Sequence, residues 1–181
     1  MKIGVMIGAD NPESGLNDVI DLAKKAEGLG LDSVWLANIF SYDAISTMAL
    51  IGRETNTIHL GTAVTPTYPR HPVAMAQQAL TTAAASDNRF TLGIGLSHKL
   101  VIEDMFGLSY SKPIRHMKEY LGVLMPLLRG ESADFDGQEY SVHGVQFNVP
   151  EAKDVPVVIA ALGPQMLKLA ADMVDGTIHG W

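Results

Sequence analysis

Runs of apolar residues of strand length alternate along the chain with longer stretches whose apolar positions recur every three or four residues. The runs at 2–8 (KIGVMIG), 33–38 (SVWLAN), 58–65 (IHLGTAVT), 90–97 (FTLGIGLS), 156–162 (PVVIAAL) and 176–181 (GTIHGW) are rich in Val, Ile and Leu. Their continuous apolar character, without a polar alternate face, is that of strands buried on both sides. Between them, helical spacing covers 15–30, 43–55, 72–86, 113–130 and 164–175. In the first helix Leu16, Val19, Ile20, Leu22, Ala23 and Ala26 form the apolar stripe, and Gly28 and Gly30 stop it. On the fourth, Met117, Leu121, Leu124 and Met125 read as core. This βαβα rhythm predicts a parallel sheet covered by helices, either an open doubly wound sheet or a barrel. Residues 131–155 break the rhythm: DFDGQEYSVHG reads as a small hairpin with Asp136-Gly137 as its turn, inserted before the fifth strand.

Composition narrows the class. A chain of 181 residues, 47% of them hydrophobic, suits one sizeable core and a single domain. The net charge of −7 argues against a nucleic-acid partner, which calls for a basic face. With no cysteine, disulfides, thiolate metal sites and a cysteine nucleophile are excluded. The longest apolar runs are strand-sized, too short to span a bilayer, and the N-terminal MKIGVMIG lacks the length of a signal peptide. The sequence therefore reads as a cytoplasmic protein with no membrane partner.

The glycines invite a nucleotide-binding reading, but GIGLSH has His98 where a dinucleotide fingerprint needs its third glycine. Crowding inside a sheet explains Gly93 and Gly95 equally well. AALGPQMLKLA is more informative. Here a strand ends near Leu162, Gly163 turns the chain, and Pro164 opens a helix whose first amides, at Gln165 and Met166, suit an anion such as a cofactor phosphate. Ordinary helix capping would use the same residues. Of the six histidines none stands at metal-ligand spacing, so no metal site is expected. His98, just past the fourth strand, is best placed for catalysis, because the C-terminal ends of parallel strands carry the sites. His71 comes second, in a loop stiffened by Pro66, Pro69 and Pro72.

The collinear segments LGTAVTPTYPRHP, QQALTTAAASDNRFTLGIG, RHMKEYLGVLMPLLRGE, FDGQEY and PVVIAALGPQMLKLAADMVDG resemble the luciferase-like monooxygenase superfamily, closest to the branch that uses the deazaflavin coenzyme F420. The resemblance implies an α/β fold of TIM-barrel type, with about six of the eight βα units in this chain. It implies an oxidoreductase passing a hydride between coenzyme F420 and a small organic substrate. An FMN-dependent monooxygenase and a non-catalytic flavin-binding protein are the rivals. In this superfamily the third strand ends in a bulge with a non-proline cis peptide that supports the ring. By resemblance the bulge falls at Thr62-Ala63-Val64, with Gly95 and Asn38 nearby and the phosphate on Leu162, Gly163, Pro164, Gln165 and Met166. Many F420-using relatives carry an acidic-His pair at the end of strand two; here Asn38-Ile39 stand there, which turns attention to His98 as the acid–base group. A barrel of this type runs to about 250 residues. Six strands imply a piece of a longer protein, an incomplete barrel, or a sheet completed by another copy, with a homodimer or larger homo-oligomer expected. Val5 and Ile178 would otherwise meet water at the open edges.

Overall fold

The computed structural model describes residues 1–8 and 14–179. Its main sheet joins β1 (Gly4–Ile7), β2 (Ser33–Leu36), β3 (His59–Thr62), β5 (Phe90–Gly95), β8 (Val157–Ala160) and β9 (Gly176–Ile178) in that order, with the short β4 (Thr65–Pro66) beside β5. Every pairing in this sheet is parallel. A doubly wound sheet reverses its strand order at a switch point. Here the order never reverses, so the sheet is an arc of a barrel. The last expected strand, 176–181, is described only as far as Ile178, and Gly180 and Trp181 lie outside the described residues.

The covering helices are α1 (Leu16–Gly28), α2 (Ala44–Glu54), α3 (Pro72–Ala85), α4 (Pro113–Leu128) and α5 (Pro164–Met173). Gly30, at φ +76°, takes the left-handed position that ends α1. Val19, Ala23 and Ala26 are buried as the stripe predicts, but Leu22 is 44% exposed. Turning 100° per residue places Leu22 at the margin of that stripe, beyond the reach of the sheet. Met117, Leu121 and Leu124 are fully buried, with Met125 packed against them. Val5 also packs on the core, and Ile178 lines the cavity described below. The apolar residues exposed at this edge include Ile3, just before β1, and Met6 within it. Among the described residues no helix is long and apolar enough to cross a membrane.

Two side chains fix the N-terminal ends of the strands. Arg89 donates to the carbonyls of Gly52, Thr55 and Ile58 and to the Thr55 hydroxyl, closing the end of α2. Glu27 accepts the amides of Asn56, Thr57 and Ile58, and those bonds outweigh its desolvation, holding the carboxyl at about 2. The opposite ends of the strands are thereby left free for chemistry.

The inserted hairpin forms, as β6 (Ala133–Asp136) and β7 (Ser141–Val145), but its turn is longer than the two residues expected. Asp136 still pairs with Ser141, and the loop spans 137–140. The Glu119 carboxylate on α4 accepts the amides of Glu139 (2.7 Å) and Tyr140 (3.2 Å), supplying the bonds that a tighter turn would have made internally.

Candidate active site

A cavity of about 780 Å³ opens at the C-terminal ends of the strands. Volumes of this order hold a cofactor-sized ligand. One wall is Ala63 and Val64; the floor and far wall are Ala160, Ile178 and the turn from Leu162 to Met166. Leu96, Ser97 and His98 follow β5 into the rim, and Tyr110, Pro113 and Ile114 close it from the start of α4. Among the described residues the lining holds no Asp, Glu, Lys or Arg.

The first wall owes its shape to a register break. Leu60 and Gly61 of β3 face Phe90 and Thr91, whereas Thr65 and Pro66 of β4 face Ile94 and Gly95, so this side of the ladder carries one residue more than β5. The expected single strand 58–65 is therefore split by a bulge. Within it the Ala63–Val64 peptide is cis, at the position the resemblance implies. The Thr62 hydroxyl donates to the Gly93 carbonyl (2.8 Å) and accepts the Gly93 amide (2.9 Å), replacing ladder bonds that the bulge removes. Gly95 lets Val64 lie close, since a Cβ there would meet Val64 Cγ2 at 2.6 Å and Ala160 Cβ at 3.2 Å. Crowding thus accounts for both Gly93 and Gly95.

The proline-rich loop braces this bulge from outside. Thr67 donates its amide to the Gly95 carbonyl (2.9 Å), and Arg70 pairs with the Asp43 carboxylate at the start of α2. His71, the second catalytic candidate, is the N-cap of α3, its Nδ1 accepting the Val73 amide at 3.3 Å. Its ring lies outside the cavity lining.

Of the predicted site residues, His98, Ala63, Val64, Leu162, Gly163, Pro164, Gln165 and Met166 are brought together around one cavity. Thr62 and Gly95 lie beneath it and shape it. Asn38 is committed elsewhere: its side-chain carbonyl accepts the Ala44 amide (3.0 Å) at the start of α2. His98 is exposed on the rim, its carbonyl accepting the Ile102 amide (3.0 Å) of a single π-helical turn, Val101–Met105. Gly163 begins α5 without a capping side chain, and a Cβ built there meets nothing within 4 Å. The first amides of α5 are therefore open to an anion.

One buried group escaped the sequence reading. His116 of α4 is 4% exposed, stacks on Tyr68 with ring centroids 3.9 Å apart, and shares a 2.9 Å hydrogen bond with the Thr67 hydroxyl. Tyr68 packs in turn on Tyr110 of the cavity rim, 5.1 Å between centroids. Burial pushes the His116 imidazole down to about 4, against the opposing pull of Glu139 and Glu119. Unfolded, the same ring titrates near 6.5. Between those values the unfolded chain binds the extra proton, so stability is complete above about 6.5 and falls as the pH drops toward 4. The expected loss is roughly 2–3 kcal/mol. Urea unfolding of the parent and of His116→Gln at pH 7 and 4.5 checks this: the variant should lose that much less over the interval, and identical acid sensitivity would contradict the assignment.

The chain is 32% identical over 168 residues to 5,10-methylenetetrahydromethanopterin reductase of Methanolobus tindarius, covering 92% of this chain and 51% of that protein. It is 31% identical over 193 residues to F420-dependent glucose-6-phosphate dehydrogenase of Mycobacterium tuberculosis, covering 98% of this chain and 56% of the relative. Among solved structures, coenzyme F420 dependent tetrahydromethanopterin reductase from Methanopyrus kandleri superposes with a TM-score of 0.84 at 23% identity, over 97% of this chain and 55% of that one. The chain thus spans about half the length of the relatives it matches. The family model of the luciferase-like monooxygenases matches residues 1–181, and the chain belongs to that family.

Proposed function

We propose that the protein is an oxidoreductase that moves a hydride between coenzyme F420 and a small organic substrate. The supporting observation is the cavity itself: an apolar wall at Ala63 and Val64 facing the uncapped start of α5 across a space of about 780 Å³. Those residues fit a flat, largely apolar ring system joined to a phosphate, and the names of the relatives favour F420 over other flavins. When bound, the deazaflavin supplies the hydride chemistry. The protein's share is to hold the ring against Ala63 and Val64, to seat the phosphate on the Gln165 and Met166 amides, and to exclude water with Leu96, Ile114 and Ile178. His98 is the proposed proton donor and acceptor through its imidazole. Among the described residues it and Tyr110 are the titratable side chains of the lining, and burial raises the Tyr110 phenol and keeps it protonated.

Fluorescence titration with F420 and FMN in separate experiments tests the reading. F420 is expected to bind more tightly. Tenfold tighter binding of FMN, about 1.4 kcal/mol, would transfer the protein to the monooxygenases. Cofactor binding without hydride transfer across a substrate panel would leave a binding protein.

A further inference from the structure

Immediately outside the cavity the surface is hydrophobic in a way the core does not require. The loop after β2 starts against the bulge, the Leu36 carbonyl accepting the Ala63 amide at 2.9 Å. Its next apolar residues, Ile39 and Phe40, are 56% and 65% exposed. Phe40 meets Phe106 edge-on, with centroids 6.4 Å apart and planes at 84°. Phe106 belongs to the segment between β5 and α4, which leaves the cavity at His98 and returns to it at Tyr110. That segment is anchored by Ile102, fully buried, yet it leaves Leu100, Met105, Phe106 and Leu108 exposed. Clustered exposed apolar side chains mark binding surfaces, and both ends of this one are rooted in the cavity wall.

The charges near the rim are largely spent. Lys99 pairs with Glu103 at 3.5 Å, and Arg70 pairs with Asp43. Among the described residues the lining holds no lysine or arginine. Among the described residues Lys112 makes no ion pair, but it stands outside the lining. With the α5 amides given to the cofactor phosphate, a phosphorylated or carboxylated substrate at the rim would lose its hydration for little in return.

We infer that the substrate is a neutral, apolar small molecule whose hydrocarbon part lies on the rim formed by Phe40, Phe106 and their apolar neighbours, with its reacting end at the cavity beside His98. The inference rests on the oxidoreductase reading for the chemistry performed there, but not for the binding surface.

Calorimetric titration of the full chain with straight-chain methyl ketones from butanone to octanone, with and without F420, tests it. Affinity should rise about fourfold per added methylene. In Phe40→Ala/Phe106→Ala the rise should shrink to less than twofold per methylene with the melting temperature unchanged, because both rings are exposed. A flat series in the parent overturns the inference. So does glucose 6-phosphate binding more tightly than octanone, with that binding abolished in Lys112→Met. If the series keeps its slope but F420 does not bind, the cofactor reading fails and the rim stands; if F420 binds and the series is flat, the rim alone fails.

Discussion

Gly93→Ala is expected to cost at least about 4 kcal/mol of folding stability, enough to leave the chain largely unfolded or insoluble. The added methyl carbon would stand far inside van der Waals contact with the Thr62 carbonyl oxygen, 2.9 Å from its carbonyl carbon and 3.2 Å from Ile178 Cδ1. A flexible side chain could swing away, but a carbonyl belongs to the backbone. Thr62 is moreover held at both ends of its hydroxyl by the Gly93 amide and carbonyl. Relief therefore means parting β3 from β5, which uncovers Leu60, Phe90 and Leu92 at the centre of the sheet. Gly28→Ala is the control: nothing lies within 4 Å of its added Cβ, and alanine is the better residue at a helix end in αR geometry. Urea unfolding of the two variants should differ by the full amount. A soluble Gly93→Ala protein within about 1 kcal/mol of the parent would mean that β3 and β5 do not approach as described.

The same close approach shows where the sequence is readable and where it is not. Continuous Val/Ile/Leu runs reveal strands because burial on both faces is a property of each residue separately. The bulge is different: Thr62, Ala63 and Val64 continue the hydropathy of 58–65, and one residue too many is visible only in the register against β5. Family resemblance located it; periodicity did not. The turn at 137–140 depends on Glu119, which approaches from another element and leaves no local mark. His116 was within reach, since His116, Tyr120, Val123 and Leu127 follow helical spacing and are all buried. Its importance lies in what the proline-rich loop places against it, and that contact is tertiary. Of the candidate site, His98 and the turn at Gly163 were legible from their positions just past strands. Asn38 and Thr62 carry the right chemistry for ligand contact, but the fold spends their polar atoms on Ala44 and Gly93. The exposed rim at Phe40 and Phe106 had no sequence signal, because a short apolar stretch reads as core until its exposure is known.

Gly163→Val should weaken cofactor binding about a hundredfold while leaving the melting temperature almost unchanged. Folding and binding separate here because Gly163 has φ −91° and ψ 153°, extended geometry that valine adopts readily and that the following Pro164 favours. Its Cβ would enter open space, so no clash opposes the change. Losing glycine at a helix N-cap costs several tenths of a kcal/mol, and restricting the unfolded chain returns a similar amount. That open space is part of the cavity, however, and it is where an anion must come to reach the Gln165 and Met166 amides. Each hydrogen bond to a charged group contributes about 1.5–3 kcal/mol, so blocking the approach should cost roughly 2.7 kcal/mol, or two powers of ten. The argument needs only a phosphate, so it applies to FMN as well as to F420. Fluorescence titration with whichever cofactor the parent binds, run beside a thermal melt, gives both numbers from one preparation. A loss of affinity below threefold would remove the start of α5 from the binding site. A melting temperature that falls in step with the affinity would show that Gly163 serves the fold and not the ligand.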